Sequence, residues 1–223
     1  MDPLLPAAVD GYLDDLVSAQ HADPVLTDME RRADMTGFPI IGRAAGRHLE
    51  LTARLAKARR VVELGSGFGY SAYWLARAVG ADGDVICIDN NPDHARHAEN
   101  YLRRADLFSR IDFRVGDALE TFAALDGEVD LVFCDVDKHD YPAAFAAAAS
   151  SLPVGGVFVC DNVLWYGRAV GLTPTGQDPE VAASQAAVTD AVVRMNREVA
   201  NDPRFVSSVV PIGDGLLVAQ RIS

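Results

Sequence analysis

The period of the apolar positions changes along this chain, and the change separates a helical beginning from an alternating remainder. Over 6–18, Ala8, Val9, Tyr12, Leu13, Leu16 and Val17 recur at helical spacing. A second helix is predicted over 24–34, with Pro24 at its first position, where a missing N–H costs nothing, and Val25, Leu26 and Met29 on one side. Gly37-Phe38-Pro39 breaks it. A third helix is predicted over 42–56, with Leu49, Thr52, Ala53 and Leu55 facing inward. From Val61 onward, short β-favouring runs take over at 61–64, 85–89, 111–115, 129–134, 157–160, 205–211 and 215–220. Helical segments fill the gaps at 71–79, 92–105, 121–125, 143–151 and 182–200. Such alternation predicts an α/β fold, a doubly wound and mostly parallel sheet. The last two strands flank Gly213-Asp214-Gly215 and predict an antiparallel hairpin. The expectation is one domain over 1–223, with a helical cap (1–56) on an α/β core (57–223). Residues 167–179, with three glycines and two prolines, read as a loop that is either a linker or faces substrate.

The first strand runs into Gly65-Ser66-Gly67-Phe68-Gly69, a turn free to bend tightly and approach a ligand, followed by a helix N-terminus with free N–H groups. The spacing is G-x-G-x-G. The dinucleotide fingerprint would need a glycine at Tyr70, and no Gly-Lys-Ser/Thr follows to grip phosphate. Glu63, just before the turn, would repel a pyrophosphate and suits a cationic ligand, such as the sulfonium and ammonium of S-adenosylmethionine. The alternative is a tight strand-to-helix turn with no ligand.

Composition narrows the partners. Lys plus Arg is 20 and Asp plus Glu is 32, giving a net charge of −12, which repels nucleic acid and anionic membranes over long range. Cys87, Cys134 and Cys160 form no C-x-x-C pair and lie in apolar runs, as reduced buried thiols do. Met1 to Asp10 carries no basic, apolar leader pattern, and no run approaches the ~20 apolar residues of a membrane span. The expected setting is cytoplasmic.

In open α/β sheets ligands bind beyond the carboxyl ends of the strands. The second strand ends at Asp89, placed to accept both ribose hydroxyls; the competing role, capping the next helix, can fall to Asn90 or Asn91. The third ends at Gly116-Asp117-Ala118, where Asp117 either receives an adenine amino group or serves as ordinary turn chemistry. The fourth ends at Asp135-Val136-Asp137-Lys138 and the fifth at Asp161-Asn162. Two carboxylates and an amide at one rim offer hard oxygen ligands, which suit Mg²⁺ better than zinc. Otherwise Asp161-Asn162 caps a turn and Asp135 pairs with Lys138. Lys138 is the candidate base, since a nearby divalent cation disfavours an ammonium. Asp137 and Asp140 read as solvated loop charges or helix caps, and His139 as an exposed residue.

Taken together these residues resemble the cation-dependent class I S-adenosylmethionine O-methyltransferases, the family of catechol and caffeoyl-CoA O-methyltransferases. The marks run in order: Glu63-Leu64-Gly65 with Gly69-Tyr70-Ser71, Ile88-Asp89, Gly116-Asp117-Ala118, Asp135-Val136-Asp137-Lys138 with Tyr141, Asp161-Asn162-Val163-Leu164-Trp165, and Pro211 to Leu216. The resemblance implies a Rossmann-like, seven-stranded sheet. It implies that Asp135, Asp161 and Asn162 hold the metal, Mg²⁺ or another divalent cation such as Mn²⁺ or Ca²⁺, and that Lys138 is the general base. Glu63, Gly65, Ser71, Asp89 and Ala118 would line the cofactor along with Ser66, Asp117, Asp135 and Ile41. Arg47 stands where a glutamine is common, and Ser66-Gly67-Phe68 replaces the usual turn. Met35, Phe38, Trp165, Tyr166 and Arg168 are expected as walls for a small hydroxylated aromatic substrate, or else as ordinary packing. A homodimer is also implied. Two other functions compete: methylation of a hydroxylated uridine in tRNA, which the −12 charge opposes, and non-catalytic cofactor binding, which gives no reason for a metal set and a base together.

Overall fold

The computed structural model describes residues 6–172 and 179–223. Three helices come first: α1 (Ala7–Gln20), α2 (Pro24–Thr36) and α3 (Gly42–Leu55). α2 begins where the Asp23 carboxylate accepts the Val25 N–H, and it ends at Gly37, whose φ of 66° closes the helix in a left-handed cap. The alternating part follows as β1 (Arg60–Leu64), α4 (Tyr70–Val79), β2 (Asp84–Asp89), α5 (Pro92–Arg104), β3 (Ile111–Val115), α6 (Ala118–Ala123), β4 (Leu131–Cys134), α7 (Tyr141–Ser151), β5 (Val157–Cys160), α8 (Pro179–Asn201), β6 (Phe205–Val210) and β7 (Leu216–Arg221).

The strands form one sheet in the order β3-β2-β1-β4-β5-β7-β6. β1 to β5 pair in parallel, and β7 runs antiparallel to both β5 and β6. This is the predicted doubly wound sheet with its closing hairpin. Strand order reverses on either side of β1, which opens the crevice where such folds bind ligands. Successive side chains leave the sheet on opposite faces. Val61 packs with Leu49, Tyr73 and Trp74 of α3 and α4, while Val62 and Leu64 pack with Phe145, Ala148 and Met195 of α7 and α8. The three cysteines are free and buried. Among the described residues no helix is long and apolar enough to cross a membrane.

Several expectations shift. Leu49 and Ala53 are buried, but Leu55 is 76% exposed, because it lies in the last turn of α3 beyond the surface they bury. Among the described residues of α1 only Val17 is buried; Tyr12 is 62% exposed and Val9 and Leu16 are exposed too, so the apolar spacing outruns the surface available to cover it. α6 starts at Ala118 rather than Thr121, because the Asp117 carboxylate accepts the Glu120 N–H and caps it there. The expected loop over 167–179 begins in 3₁₀ turns, Trp165–Val170; residues 173–178 lie outside the described residues.

Candidate active site

The carboxyl ends of β1, β2, β4 and β5 open on a cavity of about 720 Å³. Its floor is the glycine turn after β1. Gly65 has φ 85°, and a Cβ there would overlap the Asp135 carbonyl oxygen, so only glycine lets the ends of β1 and β4 meet this closely. Gly65 and Ser66 donate their N–H groups to Ile88 O, tying the turn to β2. Ser71, in the first turn of α4, completes this part of the wall.

Asp89 ends β2. Its carboxylate accepts the Gly67 N–H at 2.9 Å and the Asn91 N–H at 2.8 Å, and His94 Nδ1 lies 2.9 Å from it. Asn91 caps α5, so Asp89 is not spent on that. Asp117 does cap α6, and it still lines the cavity beside Ala118. Ile41 and Phe38 close the top from the segment between α2 and α3. The Phe38 ring stands 5.1 Å from both Phe68 and His94, edge to face.

β4 and β5 pair Cys134 opposite Cys160, which brings the residues that follow, Asp135 and Asp161-Asn162, to one rim. Lys138 Nζ donates to Asn162 Oδ1 at 2.8 Å and lies 5.0 Å from the centre of the Trp165 ring. Tyr141 OH donates to the Asp161 carbonyl at 2.9 Å, anchoring that strand end from α7. Burial raises the Asp135 carboxyl to about 7, against the opposing pull of Lys138. Burial, and then the charge of Asp135, pushes Asp161 well above the carboxylate range. Two desolvated carboxylates, the charge of Asp135 hindering ionisation of Asp161, beside an amide oxygen already turned toward a cationic head group, form a donor set that fits a hard divalent cation. No cluster of three or more His, Cys, Asp or Glu among the described residues could hold a metal; this set has two acids and one amide.

Glu63 lies beneath the floor rather than on it. It is fully buried, and neither carboxylate oxygen has a hydrogen-bond partner among the described residues. Burial raises it to about 7, while the nearby Ser71, Ser66 and Cys87 oppose the shift. Of the expected pocket walls, Phe38, Trp165 and Tyr166 line the cavity. Met35 does not: it is 80% exposed on the outer side of α2. Arg168 is also absent from the wall, buried with its guanidinium over the Trp165 and Tyr166 rings. Arg47, the departure on α3, pairs with the buried Glu50 at 2.7 Å, away from the cavity. Asp214 and Gly213 line the cavity unexpectedly. The signal was present, since a hairpin strand running antiparallel to β5 must begin at the carboxyl end of β5.

The O-methyltransferase family model matches residues 17–222. The chain is 36% identical over 183 residues to a protein named catechol O-methyltransferase from Mycobacterium tuberculosis, a match covering 81% of each. It is similar to the structure of the O-methyltransferase TomG from Streptomyces achromogenes in complex with SAM, at 28% identity and a TM-score of 0.81, covering 97% of this chain and 96% of that one. An O-methyltransferase from Bacillus cereus in complex with SAH is similar at 26% identity and a TM-score of 0.81, covering 96% of this chain and 97% of that one.

Proposed function

The chain belongs to the O-methyltransferase family and is an S-adenosylmethionine-dependent O-methyltransferase, and we propose that it methylates one hydroxyl of a small catechol-like molecule with the help of a divalent cation. One observation carries the reading: Asp135, Asp161, Asn162 and Lys138 line the same cavity as the glycine turn.

Under this reading the glycine turn and Asp89 bind the cofactor, with Asp89 accepting ribose hydroxyls and Asp117 and Ala118 flanking the adenine. S-adenosylmethionine supplies a sulfonium methyl. Ionised Asp135 and the buried Glu63 place negative charge near that end of the cavity. Asp135, Asp161 and Asn162 would hold the cation, which supplies positive charge that favours the acceptor oxyanion. Lys138 takes the acceptor's hydroxyl proton at Nζ. Phe38, Trp165 and Tyr166 offer flat apolar walls to an aromatic ring and exclude water. The acceptor oxygen gains the methyl group as the bond to sulfur breaks, and the chain's main contribution is alignment. The acidic surface, with a net charge of −12, favours a small acceptor over nucleic acid.

The test is methyl transfer from S-adenosylmethionine to a panel of catechols, with Mg²⁺ and with EDTA. Mg²⁺-dependent product is expected. Equal product in EDTA would refute the metal, and no product on any catechol would refute the acceptor class.

A further inference from the structure

The hairpin tip between β6 and β7 holds a strained piece of backbone at one end of the cavity. Trp165 and Tyr166 have φ of 50° and 52°, Gly167 follows at 79°, and Asn162 stands at 53°. Residues with a Cβ rarely adopt this left-handed backbone, and a run of them persists only where its surroundings hold it. Three hydrogen bonds accepted by the hairpin do so. Leu164 N–H donates to Asp214 O at 3.0 Å and Val163 N–H to Gly215 O at 3.1 Å. Tyr166 N–H donates to the Asp214 carboxylate at 2.6 Å. The first two involve backbone and survive any change of side chain. The third depends on the Asp214 carboxylate alone, at the residue whose neighbours on both sides are wall-forming or left-handed.

We propose that Asp214 is a positioning residue for the methyl acceptor. Its carboxylate fixes the Tyr166 amide, keeps Trp165 and Tyr166 in the left-handed run, and thereby sets how a flat, hydroxylated acceptor is seated. This rests on reading the aromatic end of the cavity as the acceptor pocket. The property that matters is an accepting oxygen at that place, not the charge. Asp214→Ala removes the oxygen, whereas Asp214→Asn retains one.

Two readouts test this. The chain has two tryptophans, and Trp74 is fully buried, so acrylamide-quenchable emission reports on Trp165. Asp214→Ala should raise quenching and raise KM for catechol about tenfold, with affinity for S-adenosylhomocysteine changed less than about twofold. Asp214→Asn should recover most of both. Unchanged quenching and KM in the alanine variant, even with a lowered Tm, would overturn the proposal, as would an asparagine variant as impaired as alanine. If the wild-type protein methylates no catechol, the acceptor reading fails, and the quenching comparison still decides whether Asp214 positions the wall.

Discussion

Lys138 Nζ and Asn162 Oδ1, 2.8 Å apart, join the carboxyl end of β4 to that of β5 across the candidate reaction centre. The lysine also sits over the Trp165 and Tyr141 rings, 5.0 and 5.5 Å from their centres, so its head group is fixed from three sides. As the proposed base, a lysine held in this way would act by position. Replacing it with methionine keeps the stem and removes the amine. Lys138→Met should lower kcat by a factor on the order of 10² to 10⁴, the usual worth of a positioned base. Affinity for S-adenosylhomocysteine, measured by calorimetry, should stay within about threefold, because the glycine turn and Asp89 are untouched. A variant that keeps near wild-type kcat removes Lys138 from the mechanism.

Asp161 separates the metal reading from a cap. It is buried, and its carboxylate is destabilised by burial and by Asp135. Asp161→Ala relieves that conflict in the protein free of cation. Its Tm in EDTA should therefore equal or exceed the wild-type value, whereas removal of a structural cap would lower it by the equivalent of about 1 kcal/mol. Added Mg²⁺ should raise Tm in the wild type and not in the variant. Turnover in Mg²⁺ should fall at least about a hundredfold in the variant. A clear Mg²⁺-dependent rise in Tm for Asp161→Ala would place the cation elsewhere.

Glu63 makes stability depend on pH. Its carboxyl is raised from 4.5 to about 7 by burial. Between those values the folded protein holds a proton that the unfolded chain has released. Stability is therefore greatest below the lower value and is lost as pH rises through the upper one. The contribution is bounded by about 3.5 kcal/mol, from roughly 1.4 kcal/mol per pH unit. Glu63→Gln stays neutral throughout, so its urea unfolding should lose less stability between pH 5 and pH 8 than the wild type does. The same change removes a negative charge beneath a cationic cofactor, so affinity for S-adenosylmethionine at pH 8 should fall. Parallel stability–pH curves for the two proteins would show that Glu63 does not titrate in this range.

The sheet was legible because each β-favouring run is bounded by turn residues, and most of the cavity was legible because polar residues at strand ends must gather at one edge. Asp135 and Asp161 come together for that reason alone. Side-chain direction was not legible. Met35 stands two residues beyond the buried Ala33, which turns it to the other side of α2 and into solvent, and Arg168 turns inward over the aromatic rings. Spacing fixes which residues share a face but not where the neighbouring surface ends, which is also why Leu55 is exposed. Long-range polar links escaped too. Tyr70 OH donates to Glu30, which Arg43 also binds at 2.7 Å, tying α2 and α3 to the start of α4. No local pattern marks such a triad. The left-handed run at Trp165 and Tyr166 gave no warning, because neither residue favours that backbone.

Gly65 offers the sharpest test of how the floor is built. Its φ is 85°, and the carbonyl of Asp135 occupies the place of a Cβ. Gly80 has a similar φ of 76°, but nothing lies within 4 Å of its Cβ position. Its ψ of −168° is a conformation essentially reserved for glycine, so alanine at Gly80 meets backbone strain alone, on the order of 1–3 kcal/mol. Alanine at Gly65 meets the strain of a positive φ and must also push the end of β4 away from β1. That moves Asp135 at the rim and widens the turn against Ile88, whose carbonyl accepts two of its N–H groups. Gly65→Ala should lower stability by several kcal/mol more than Gly80→Ala, read by urea unfolding, and should weaken S-adenosylhomocysteine binding at least about a hundredfold. Gly80→Ala should bind the cofactor product as the wild type does. Equal penalties at the two positions would mean that strain, and not the approach of the Asp135 carbonyl, is what makes Gly65 a glycine.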